Sequence, residues 1–156
     1  MKKIEVLDTF RDVSPLHTMP FSYVLIDLDG VLGPHRGVIP KSSIEHLNML
    51  EEESPNSEFK IVTNGLSRSI EGIETVRTRP PLIKQFPGVL RSVTDDPRST
   101  LVLTDSPTET LASYLSGIET IYIKNSFRPH PAESVFRLML RPVRKPVYRL
   151  LDLDSS

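Results

Sequence analysis

Tyr23-Val-Leu-Ile-Asp-Leu-Asp-Gly-Val-Leu32 runs from four bulky residues straight into two carboxylates and a glycine. An apolar run this short is too brief for a stable helix and fits a strand buried on both faces of a parallel sheet. The Asp-Leu-Asp-Gly that follows ends the strand in a sharp turn, which Gly30 permits. The same pattern recurs down the chain. Phe59-Lys-Ile-Val62 leads into Thr63-Asn-Gly65, and Leu101-Val-Leu103 leads into Thr104-Asp-Ser-Pro107. Ile121-Tyr-Ile123 forms a fourth run, after a Gly117 suited to closing a helix. Strands are therefore expected near 22–27, 59–63, 100–104 and 120–123.

Apolar spacing between these runs predicts helices over 41–50, 67–76 and 108–115, the second from Ile70, Ile73 and Val76. Strands alternating with helices read as βαβ units. The expected fold is a single α/β domain: a Rossmann-like open, mainly parallel sheet with helices on both faces. Its organisation reads as an N-terminal arm over 1–20, a core over 21–126 and a basic tail over 127–156. The prolines at 142 and 146 are expected to break any helix in that tail.

The chain has 156 residues, 38% hydrophobic and 25% charged, with a formal net charge of -1. One ordinary domain fits that length. A near-neutral balance disfavours a global grip on nucleic acid. Without cysteine there is no disulfide, thiol nucleophile or thiolate zinc site. No apolar run approaches the roughly 20 residues of a membrane-spanning helix. The opening lacks the apolar stretch of a signal peptide, and Glu5, Asp8 and Asp12 argue against a transit peptide. A cytoplasmic location is expected; peripheral contact at a membrane surface through the basic tail is an alternative reading of that segment.

Ligands of open α/β sheets bind beyond the carboxyl ends of the strands. Asp27 and Asp29 are close enough in sequence to divide labour, one attacking or holding a metal while the other shuttles a proton. Thr63 and Asn64 offer hydroxyl, amide and backbone N–H groups to phosphoryl oxygens. Asp105 and Glu109 offer a hard oxygen ligand and a supporting carboxylate for Mg²⁺. Each element alone also has a plain reading: a turn or calcium-loop fragment, a turn, and a helix cap. Their occurrence in order, each directly after a buried-type strand, favours a site.

These segments resemble the haloacid dehalogenase-like (HAD) phosphohydrolases over about residues 20–125. The matching residues are Val24-Leu-Ile-Asp-Leu-Asp-Gly-Val-Leu32, Lys60-Ile-Val-Thr-Asn64 and Leu101-Val-Leu-Thr-Asp-Ser-Pro-Thr-Glu109. The resemblance implies a phosphatase in which Asp27 is the nucleophile that becomes an aspartyl phosphate. Asp29 would protonate the leaving group and then activate water. Mg²⁺ would be held by Asp27, the Asp29 main-chain carbonyl and Asp105, with Glu109 in support. Thr63, Asn64 and Gly30 would surround the phosphoryl group. The family's lysine motif has no direct counterpart in Arg77-Thr-Arg-Pro-Pro-Leu-Ile-Lys84, where Arg79 and Lys84 are the candidate cations. Thr104 also replaces a usual glycine, and Glu109 a commoner aspartate.

Only 33 residues separate Asp29 from Thr63, which leaves no room for a large cap. An open site suits a bulky substrate such as a lipid head group, and the layout resembles the phosphatidylglycerophosphate phosphatase branch. Residues 124–149 carry Lys124, Arg128, Arg137, Arg141, Arg144, Lys145 and Arg149 against Glu133 alone. With Val135-Phe-Arg-Leu-Met-Leu140 they are suited to anionic head groups, though a helix packed on the domain edge with solvated arginines is the favoured reading. His35, in the flap near Asp27, is a candidate substrate contact or a polar loop residue. Two other functions compete with the enzyme: a phosphate- or metal-binding module without turnover, and a scaffold that docks a membrane or an acidic partner.

Overall fold

A computed structural model describes residues 4–35, 37–63, 69–77, 94–124, 127, 138–139 and 141–153. Among the described residues six strands form one sheet: β1 (Glu5–Leu7), β2 (Tyr23–Asp27), β3 (Glu58–Thr63), β4 (Glu74–Arg77), β5 (Thr100–Thr104) and β6 (Glu119–Ile123). Their order is β1-β6-β5-β2-β3-β4, and every pairing is parallel. The helices of the chain include α1 (Pro15–Thr18), α2 (Lys41–Glu53), α3 (Pro107–Ser116) and α4 (Arg141–Leu150).

Alternation along the central strands divides the core in two. Val24, Ile26, Leu101 and Leu103 join a large cluster that includes Leu47 and Leu50 of α2. Leu25 and Val102, the residues between them, join Val62, Ile118 and Ala112 of α3 in a second cluster. Helices thus cover both faces, and β2 and β5 are buried on both sides, as their unbroken apolar runs require.

The opening residues are built into this core. β1 pairs with β6, matching Glu5 with Ile121. Phe10 and Val13 are buried in the large cluster. The Phe10 ring meets His46 edge-on at 5.2 Å, and His46 Nε2 lies 2.8 Å from the Val13 carbonyl.

Two helix expectations need correction. Residues 74–77 are not helical but form the edge strand β4, with Lys60 opposite Glu74 and Thr63 opposite Arg77. Gly72 sits at φ +86, a left-handed turn conformation that stops a helix, and Thr75 and Val76 are β-branched. In the tail, 141–150 is helical despite both prolines. Pro142 lies in the first turn, where an N–H has no intrahelical partner, so only Pro146 removes a bond. Packing offsets that loss: α4 lies against α3, Val147 and Leu153 are buried, and the Tyr148 hydroxyl meets that of Tyr122 at 2.9 Å. No helix among the described residues is long and apolar enough to cross a membrane.

Candidate functional site

The chain winds outward from β2 through β3 to β4, then returns to β5 on the opposite side of β2. The direction of winding reverses between β2 and β5, and in such sheets the crevice for ligand opens at the carboxyl ends there. Asp27 is the last residue of β2, and Asp105 directly follows β5. Thr63 ends β3 on the other flank of β2. All three are at least nine-tenths buried. Adjacent strands lie about 4.8 Å apart, so these groups occupy neighbouring positions on one edge.

The turn after β2 closes tightly. The Leu32 N–H donates to the Leu28 carbonyl at 3.1 Å, and the Gly30 N–H donates to the Gly33 carbonyl at 2.8 Å. Leu28, Val31 and Leu32 anchor the turn in the core. Gly30 itself sits at φ +91, and a Cβ built on it would fall within 2.8 Å of Oδ1, Oδ2 and Cγ of Asp105. The Asp105 carboxylate is therefore seated against the backbone of the 27–30 turn, in a space that only glycine leaves. Asp29 is half-buried, and its Oδ2 lies 3.7 Å from Nδ1 of His35.

α3 begins beside Asp105. Ser106 caps it, accepting from the Glu109 N–H at 3.4 Å, and Pro107 occupies the first helical position. Glu109 is 2% exposed, and the Thr104 hydroxyl donates to its Oε2 at 2.7 Å. The same Thr104 oxygen accepts from the Ser106 N–H at 3.0 Å. Thr104 and Glu109 are thus bonded to each other, and together they fix the start of α3. The buried residues of α3 include the small Ala112, Ser113 and Ser116, while Leu115 is exposed.

Asp27, Asp29, Gly30, Thr63, Asp105 and Glu109 all gather at or beside this edge, whereas Asn64, Arg79 and Lys84 lie outside the described residues. Arg77 is the cation that the sequence reading passed over. It is exposed at the carboxyl end of β4, paired in register with Thr63. Reading 67–76 as a helix hid it. The β-branched Thr75 and Val76 after Gly72 were the signal that would have found it.

The donors here are all oxygen, which suits a hard cation rather than zinc. Among the described residues, no three His, Cys, Asp or Glu side chains come together as a metal cluster. Two buried carboxylates, Asp27 and Asp105, fit Mg²⁺ all the same, since that ion commonly takes one or two carboxylates and completes its shell with water and phosphate oxygens. Compared with known proteins, the chain matches no family model, no curated protein and no solved structure.

Proposed function

We propose that the chain is a Mg²⁺-dependent phosphomonoester hydrolase of the HAD type, with an open site that accepts a bulky substrate. The observation that supports this most is the seating of the buried Asp105 carboxylate against Gly30, on the turn that joins Asp27 to Asp29. A turn that served only to reverse the chain has no need to hold a second buried carboxylate against its backbone.

In this reading the Asp27 carboxylate attacks phosphorus, and the bond to the leaving oxygen breaks as Asp29 gives that oxygen its proton. Asp29 then takes a proton from water, which attacks the aspartyl phosphate, releases inorganic phosphate and restores Asp27. Thr63 binds the phosphoryl oxygens, and a cation from 77–84 neutralises their charge. Asp27, Asp105 and the Asp29 carbonyl would hold Mg²⁺, which would supply further charge stabilisation.

A panel of phosphomonoesters, including a phosphatidylglycerophosphate dispersion, tests the proposal when assayed with and without Mg²⁺. Mg²⁺-dependent phosphate release is expected on at least one of them. It should fall by about 10²–10⁴-fold in Asp29→Asn, the usual worth of a general acid–base group, and its Mg²⁺ requirement should rise in Asp105→Asn. No turnover on any ester, with Mg²⁺ still bound, would instead establish a binding module.

A further inference from the structure

α4 presents two unlike sides. Toward the domain it buries Val147, joins Tyr148 to Tyr122 and ends in a tight closure. In that closure Asp152 adopts φ +54, the Leu153 N–H donates to the Tyr148 carbonyl at 3.0 Å, and Leu153 is buried. Away from the domain stand Arg141, Lys145 and Arg149, all exposed. Spaced four residues apart, they line one stripe of the helix, about 12 Å long. None of the three pairs with a carboxylate among the described residues. Large apolar side chains are also exposed at the two ends of α4: Leu138 and Met139 just ahead of it are 65% and 74% exposed, and Leu150 at its close is 70% exposed.

From this juxtaposition we infer that the outer side of α4 docks on an anionic lipid surface. Cations beside exposed leucine and methionine match an interface where head groups are charged and the layer beneath is apolar. Nucleic acid is the poorer match. Tyr148, the one aromatic residue of α4, is turned to Tyr122 and offers no stacking platform for bases. Charge is also uneven along the sequence: seven basic residues and one acidic lie in 124–149, against twelve basic and nineteen acidic elsewhere. An anionic membrane would attract the Arg141, Lys145 and Arg149 stripe, while the net-acidic remainder of the sequence offers it no comparable attraction. The inference does not depend on the phosphatase reading.

Co-sedimentation of the full chain with vesicles tests it. Phosphatidylcholine vesicles containing a third phosphatidylglycerol should carry the protein down, and pure phosphatidylcholine vesicles should not. Replacing Arg141, Lys145 and Arg149 with Gln should lower the partition coefficient roughly 5-fold per cation and ~100-fold together. The exposed pair Leu138→Ser/Met139→Ser should weaken binding at high salt, where the charge contribution is screened. All variants alter exposed side chains, and circular dichroism checks that they fold. Equal binding to both vesicle types would overturn the inference, as would binding unchanged in the Gln variant. Failure to bind vesicles while binding duplex DNA through the same three cations would overturn it in favour of nucleic acid.

Discussion

Gly30 does two things that no other residue can do at once. Its φ of +91 turns the chain out of β2, and its missing Cβ leaves the space that the Asp105 carboxylate fills. Gly30→Ala should therefore cost more than the roughly 1–2 kcal/mol of a left-handed backbone alone. It should also push Asp105 from its seat. Urea unfolding reads the first effect and Mg²⁺ titration the second; an alanine variant with wild-type stability and Mg²⁺ affinity would contradict the geometry. Thr104 is the second test at this scale. Its hydroxyl donates to the buried Glu109 and accepts from Ser106 N–H. Thr104→Val should cost about 1–3 kcal/mol, the usual penalty for stripping a buried polar group of its partner, and Thr104→Ser should recover most of it in the same unfolding assay. The sequence showed Thr104 and Glu109 as two separate oddities. Residues five apart across a strand–helix turn have no fixed spacing rule, so their bond became visible only with the turn itself.

Elements were legible where the chain is buried on both sides. The runs at 23–27, 58–63, 100–104 and 119–123 are strands, the state that short Val-, Ile- and Leu-rich stretches bounded by turn residues favour in a parallel sheet. β4 was misread because an edge strand is half-exposed, and its Val76 follows Ile70 and Ile73 at a spacing that also suits a helix. Its tie to the sheet includes Lys60, whose ammonium lies 3.1 Å from Glu58 and 3.2 Å from Glu74, its direct partner on β4. The hydrogen bond to Glu58 raises the Lys60 pKa above its ordinary 10.5, burial opposes this, and Glu74 adds to the rise. A raised folded-state value stabilises fully below the unfolded value and is lost as pH climbs through the folded one. Stability should thus decline above about pH 10.5 by up to about 1 kcal/mol, the range for such pairs, and Lys60→Met should flatten that decline. Urea midpoints across alkaline pH check it; parallel curves for both proteins would dissociate Lys60 from β4.

At the scale of the whole molecule, the opening residues form an edge strand and the tail forms a packed helix, both of which composition alone obscured. A three-residue strand leaves almost no pattern, and two prolines outweighed a helix held by tertiary contacts. The order of the strands was not legible either, because every parallel βαβ arrangement shares the same local signals. That order matters most for function, since it sets Asp27 and Asp105 side by side where the winding reverses. The central claim is that this pair serves phosphoryl transfer through Asp27. Fluorine NMR of the protein with Mg²⁺ and beryllofluoride, a mimic of the aspartyl phosphate, tests it most directly. Bound beryllofluoride resonances are expected in the wild type, dependent on Mg²⁺ and absent in Asp27→Asn. Resonances that persist in Asp27→Asn, or a wild type that hydrolyses phosphomonoesters yet never binds the mimic, would contradict it.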